Sequence, residues 1–249
     1  MIRPEERMAA AIAALIRDPA APPARHVAIG AASPIPAAAC LLLREAGVPI
    51  RLSLLHLRQG NPFTTGTREL FDLTGQGRID LFFLGGGQID GAANINLVGA
   101  GDWPGTAARF PGSFGSAFMY MMVPRTILFR EEHSPRVLVP RVDFISAPGI
   151  SAPGVFRRGH AQGLVTGRAV FRFDPARARF TLASVHPGET AAGIRAATGF
   201  DYDAPAEVPA TPDPGAADLA LLRGAVRAAM LGTYPAFCAR VWPDGAPTG

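Results

Sequence analysis

The 249-residue chain contains no lysine, and all 24 of its basic residues are arginine. That absence removes Schiff-base lysines, lysine-bound pyridoxal sites and the phosphate lysine of Walker-type loops from consideration. Cysteine is scarce, with Cys40 and Cys238 far apart in the chain. Cys40 falls in an Ala/Leu-rich helical pattern that reads as a buried free thiol and fits a reducing cytoplasm. Apolar stretches break at Gly, Pro or charge well before the roughly 18 residues a membrane span needs. Glu5, Glu6 and Arg7 open an amphipathic helix, not a signal peptide. Charged residues make up only 18% against 48% hydrophobic, which indicates a soluble globular chain with ample core. The net charge of +4 is modest and the arginines are scattered, so the basic balance follows from composition and argues against a nucleic-acid surface.

What the chain does contain is a distinctive stretch from Arg78 to Asn96. An apolar run, Leu81 to Leu84, reads as a short buried strand and breaks into Gly85, Gly86 and Gly87. A polar segment with Gln88, Asp90, Asn94 and Asn96 follows. Three residues without side chains allow backbone or a ligand to approach closely. Polar groups delivered at the C-terminal end of a buried strand are where open α/β sheets place ligands.

Around that stretch the first half alternates between strand and helix patterns. Helices are expected over Met8–Arg17, Ala37–Ala46 and Arg68–Leu73, and strands over His26–Gly30 and Ile50–Leu57. The second half is strand-rich, with candidates at Thr126–Arg130, Val137–Val139, Val142–Ile145, Ala169–Phe173 and Phe180–Val185. Asp201 to Gly215 reads as a Pro/Ala-rich linker before a closing helix from Ala216 to Leu231. The expectation is an open, largely parallel α/β sheet with flanking helices, extra strands in the second half and a C-terminal helix. Residues 1–202 would form the main domain, with 203–249 as the linker and a helix packed on it.

Common catalytic signatures fail: there is no G-x-S-x-G elbow, no GxxxxGK[ST] and no GxGxxG after a strand. His26, His56, His133, His160 and His186 lack metal-ligand spacing, so no metal site is expected. Three constellations remain. Gly85, Gly86 and Gly87 with Gln88 offer backbone amides for an oxyanion, or simply a tight strand exit. Gly112, Ser113, Gly115 and Ser116 form a loop of small residues that presents N–H groups to an anion, or merely packs. Glu131, Glu132 and His133 offer acid–base groups, though carboxylates at a strand end paired to Arg130 or Arg136 are the plainer alternative. His56, at the expected end of the second strand beside the loop of Gly60 to Gly66 with Asn61, is either a structural hydrogen-bonder or a proton-transfer group.

Gly85 to Asp90, Asn94 to Asn96, Gly101-Asp102 and Gly112 to Ser116 together resemble the β-type subunit of the class I, glutaconate-type CoA-transferase family. The resemblance implies an open α/β fold, an α-type partner in a heterodimer or heterotetramer, and an interfacial site for acyl-CoA thioesters. No permanently bound cofactor is implied; coenzyme A arrives as part of the substrate. In that family a glutamate at the end of the second strand attacks the thioester. Here no carboxylate lies between Ile50 and Arg68, and His56 stands near its place. Further stretches, among them Phe129 to His133, Val142 to Gly149 and His186-Pro187-Gly188, resemble a branch of ring-opening CoA hydrolases of steroid degradation. That branch implies water-dependent cleavage of a carbon–carbon bond in a cyclic-ketone CoA ester, with the essential carboxylate on the α-type subunit. His56, Gln88 and Asn61 would then orient substrate or water. Two alternatives stay open: a transferase using Glu69 or Glu131, and a non-catalytic structural subunit.

Overall fold

The computed structural model describes residues 1–57, 63 and 65–243. In chain order its elements are α1 (Pro4–Ile16), β1 (His26–Ile29), α2 (Pro34–Glu45), β2 (Arg51–Leu54), α3 (Thr67–Gly75) and β3 (Leu81–Leu84). Four two-residue strands follow, β4 (Gln88–Ile89), β5 (Ile95–Asn96), β6 (Gly99–Ala100) and β7 (Ala108–Arg109). Then come α4 (Ser116–Met122), β8 (Arg125–Arg130), β9 (His160–Thr166), β10 (Ala169–Asp174), β11 (Arg179–Val185) and α5 (Ala191–Ala197). The chain closes with α6 (Ala216–Leu221), a π-helical turn (Leu222–Val226), α7 (Arg227–Met230) and α8 (Pro235–Val241).

A seven-stranded sheet runs in the order β11-β10-β9-β8-β3-β1-β2. Strands β2, β1, β3, β8 and β9 are parallel, and β10 and β11 extend the sheet antiparallel. The open, largely parallel architecture expected from the sequence is therefore present. Side chains alternate across the sheet, as a period of two requires. Val27, Ile29, Leu81, Phe83 and Ile127 face a core shared with α1, α2 and the C-terminal helices. Ala28, Phe82, Leu84, Leu128 and Leu164 face a second core built with α3, α4 and the connecting loops. Burial on both faces explains why these strands read as continuous apolar runs.

Several boundaries differ from expectation. β2 stops at Leu54, so His56 lies in a turn beyond it and not on the strand. Val137–Val139 and Val142–Ile145 are not strands; only Leu138 makes a bridge, to Ile89, and Pro140 interrupts the backbone donors needed for a ladder. β9 carries Gln162 and Gly163, which hide its apolar alternation. The segment after Phe200 runs along β11, with bridges from Asp203 to Thr181 and from Ala210 to Val185. Leu222, Val226 and Met230 of the helical segment beyond it are buried in the same core as α1 and α2.

Candidate active site

The parallel strands take the order 2-1-3-4-5, counting β8 and β9 as the fourth and fifth. Connections leave in opposite directions from β1 and β3, and ligands of doubly wound sheets bind at that crevice, beyond the strands' carboxyl ends. A cavity of about 870 Å³ lies there. One wall is the β1–α2 loop, Gly30 to Ile35, which Pro34 and Pro36 turn into the start of α2. Gly85, Gly86 and Gly87 form the floor, and Pro111 to Ser116 close a third side. Phe71, Phe82, Phe110 and Phe129 make much of the lining apolar. The end of β8 supplies a charged edge of Arg130, Glu131, Glu132 and Arg136.

The structure thus brings together Gly85, Gly86, Gly87, Gly112, Ser113, Gly115, Ser116, Glu131 and Glu132 around one cavity. Their glycines are dictated by packing as much as by any ligand. A Cβ at Gly86 would stand 2.8 Å from the Gln88 carbonyl oxygen, and one at Gly87 would enter the Phe110 ring. The Gly115 Cβ would run into Phe71. Not every amide in these loops is open to a ligand. Gly87 N–H donates to Asn96, Gly112 N–H to Leu97 and Ser116 N–H to Ser113, all to backbone carbonyls. Among the described residues, Gly86 and Gly115 carry amides that no backbone carbonyl takes. Ser116 Oγ is buried without a hydrogen-bond partner among them.

Gln88 does not reach the cavity. Its side-chain amide donates to Asp143 Oδ2 at 2.9 Å, and its oxygen accepts from Asn96 Nδ2 at 2.7 Å and from the Asp143 N–H at 3.0 Å. The oxygen accepts twice and the nitrogen donates once, so both polar atoms of this buried amide are satisfied, which is how burial of such a group is tolerated. Asp90 likewise accepts from the backbone of Ala92, Asn94 and Val142. The polar segment after the glycines is a clamp that holds residues 142–149 to β4 and β5.

His56 is exposed and stacks on Tyr234, with ring centroids 5.8 Å apart and planes 17° from parallel. It does not line the cavity, although its neighbour Leu55 does. Asn61 lies outside the described residues. Glu131 and Glu132 follow the last residue of β8, so strand alternation does not separate them, and both line the cavity. Glu132 accepts from Ser134 Oγ at 2.6 Å and pairs with Arg136 at 2.5 Å and Arg130 at 3.9 Å. The Ser134 hydroxyl first, and then the two guanidiniums, hold its carboxyl below the usual range. Glu131 is half-exposed and pairs with Arg240 of α8 at 3.1 Å. His133 turns away into the interior, between the hydroxyls of Thr166 and Thr198. Glu69 is absent from the cavity lining.

The aromatic wall and the β1–α2 loop were not singled out in the sequence. Only the strand order makes Gly30 to Ile35 neighbours of Gly85 to Gly87. Gly115→Ala provides a check on the packing. Forcing the Phe71 ring aside should lower stability by about 1–3 kcal/mol, as overpacking does, with chemical denaturation as the measurement.

An open α/β chain with a crevice cavity at its topological switch point is a small-molecule-binding scaffold of the doubly wound class. Residues 53–197, more than half of the chain, match the Coenzyme A transferase family, and the chain belongs to that family. It is 32% identical over 128 residues to one of the subunits of the glutaconate CoA-transferase of Acidaminococcus fermentans, covering 49% of this chain and 47% of that protein. It is 28% identical over 160 residues to the cholesterol ring-cleaving hydrolase IpdB subunit of Rhodococcus jostii RHA1, covering 63% of this chain and 62% of that one. The chain therefore matches about half to just under two thirds of the length of these relatives. Among solved structures, the decarboxylase AibA/AibB superposes with a TM-score of 0.74 at 25% identity, over 90% of this chain and 94% of that one. Among the described residues, no helix is long and apolar enough to cross a membrane.

Proposed function

We propose that this chain is the β-type subunit of a heteromeric cytoplasmic enzyme acting on acyl-CoA thioesters, and that its reaction is hydrolytic ring opening. The substrate is a cyclic-ketone CoA ester of the steroid-degradation type, and an α-type subunit supplies the catalytic carboxylate. The observation that carries this reading is the state of the carboxylates. None occurs from Ile50 to Arg68, where the resemblance places the transferase nucleophile, and the two at the cavity edge are bound to arginines. A CoA transferase needs a carboxylate that holds the acyl group covalently between its two acid partners. The relatives support a wider range of chemistry on this scaffold, since one is named a ring-cleaving hydrolase and another a decarboxylase.

In the proposed reaction, water activated by the α-type subunit's base adds to the ring ketone. The ring carbon–carbon bond then breaks, its electron pair takes a proton at the departing carbon, and the former ketone becomes a carboxylate with CoA still attached. The unshared amides of Gly86 and Gly115 would stabilise the oxyanion, each worth about 3 kcal/mol where such donors have been removed from other enzymes. Glu131, half-exposed at the cavity edge, favours a second reading as a transferase nucleophile once released from Arg240.

The two readings part in ¹⁸O-labelled water, with the chain co-purified with its α-type partner. Acceptor-independent turnover, with label in a new carboxylate and CoA retained, is the expected result. Formation of a new acyl-CoA only when a free carboxylic acid is present would replace hydrolysis with transfer and direct attention to Glu131.

A further inference from the structure

We propose that Phe114 is a specificity-determining residue, its ring being the surface on which the apolar acyl portion of the thioester lies. This rests on the acyl-CoA reading above. Phe114 lines the cavity and yet is 79% exposed, the most open of the large hydrophobic side chains apart from Met1 among the described residues. Its backbone has a φ of 41°, in the left-handed region that an aromatic residue rarely adopts. Glycine would relieve that conformation, and Gly112 and Gly115 stand on either side. An aromatic ring at this position therefore adds nothing to the loop's conformational stability, and it buries little.

The ring is nonetheless held in place. Phe71 lies behind it, with centroids 5.5 Å apart, and Phe71 is in turn edge-on to Phe118 at 5.9 Å. Phe71 and Phe110 line the same cavity, so Phe114 extends an apolar wall outward from the floor. The charged groups of the site, Arg130, Glu131, Glu132 and Arg136, belong to the segment at the end of β8. A ligand suited to this lining has an apolar, flat or alicyclic body, with its polar reacting group toward the glycine amides. Open aromatic faces of this kind contribute through buried area and ring stacking.

The test uses two thioether analogues that cannot react, S-cyclohexylmethyl-CoA and S-ethyl-CoA, bound to the assembled heteromer and measured by calorimetry. Wild type should prefer the cyclohexylmethyl analogue. Phe114→Gly should reduce that preference about tenfold, a loss of about 1.4 kcal/mol, while Phe114→Trp keeps it. The thermal midpoint of Phe114→Gly should not fall, because the left-handed strain is relieved. An unchanged Kd ratio in Phe114→Gly would overturn the assignment while leaving the acyl-CoA reading intact. Loss of the heteromer on size-exclusion chromatography would overturn it differently, by placing the ring under the partner subunit. Failure of wild type to bind either analogue would overturn both readings.

Discussion

Glu6→Ala should destabilise the chain by about 3 kcal/mol, at the low end of the range for breaking a buried ion pair because Arg223 keeps some contact with water. Glu6 has no exposed surface. Its carboxylate accepts from Arg223 at 2.7 and 3.0 Å, from the Trp242 indole at 3.0 Å and from the backbone of Arg3 at 2.9 Å. Burial by itself would raise this carboxyl, and the hydrogen bonds and charge around it reverse the sign, leaving it lowered. Alanine leaves the Arg223 guanidinium uncompensated and the Trp242 N–H without an acceptor in the core. Glu6→Gln, which keeps the volume and one acceptor, should lose less. A urea midpoint for Glu6→Ala within experimental error of wild type would show that the network adds nothing.

The same residue connects the fold to the cavity. Glu6 ties α1 to Arg223 in the π-helical turn and to Trp242 after α8. One residue away, Glu5 pairs with Arg240 of α8, whose other partner is Glu131 at the cavity edge. Loosening the Glu6 cluster therefore also removes the support behind the arginine that holds Glu131.

How much of this was legible beforehand depended on whether local chemistry or long-range pairing set each feature. Apolar runs such as Leu81 to Leu84, and Pro or Gly at helix boundaries, locate β1, β2, β3 and β8 and α1 to α3 because those signals are local, whereas β9 stays hidden. The triple glycine was recognised as a place of close approach, and it does floor the cavity. Gln88 shows how little sequence separates two roles, because a buried amide that ties two segments together has the same signature as one that binds a ligand. Its partners, Asp143 and Asn96, are 55 and 8 residues away. His56 sits in an apolar context that reads as a strand, but the parallel ladder with β1 ends at Leu54. The wall containing Phe71, Phe110 and Phe114 was invisible because it is assembled from segments that meet only through the 2-1-3 strand order. Phe114 could have been noticed as a large aromatic set between glycines in a small-residue loop.

Acidification from pH 6.5 to 4 should weaken the fold by about 3 kcal/mol through His133 alone. Its ring is buried, with Nδ1 against the Thr166 hydroxyl at 2.8 Å and Nε2 against the Thr198 hydroxyl at 2.9 Å. Thr198 already donates to the Ile194 carbonyl, so it accepts from Nε2–H. The Thr166 oxygen accepts from the Arg168 and Ala169 N–H groups, which leaves its proton for Nδ1 at 2.8 Å, nearer than the Ala169 carbonyl at 3.2 Å. Neutral imidazole satisfies that arrangement and imidazolium does not. Burial, reinforced by Arg168 and by His186, pushes the His133 pKa down to about 4, with Glu189 opposing. In the unfolded chain a histidine titrates near 6.5. Between those values only the unfolded state takes the proton, so this stabilisation is complete above about pH 6.5 and lost as pH falls to about 4. His186 is lowered in the same direction, chiefly by burial, and adds to the slope. Urea midpoints at pH 7.0 and 4.5, for wild type and His133→Gln, isolate the contribution. Glutamine can hydrogen-bond both threonines and does not titrate, so the variant should lose stability at pH 7 but depend less on pH. An equal pH dependence in both proteins would mean that His133 is not held neutral. The acid sensitivity would then arise at the other histidines lowered by burial, His26, His160 and His186, or at the arginine-bound carboxylates Glu132 and Glu189, whose titration begins lower.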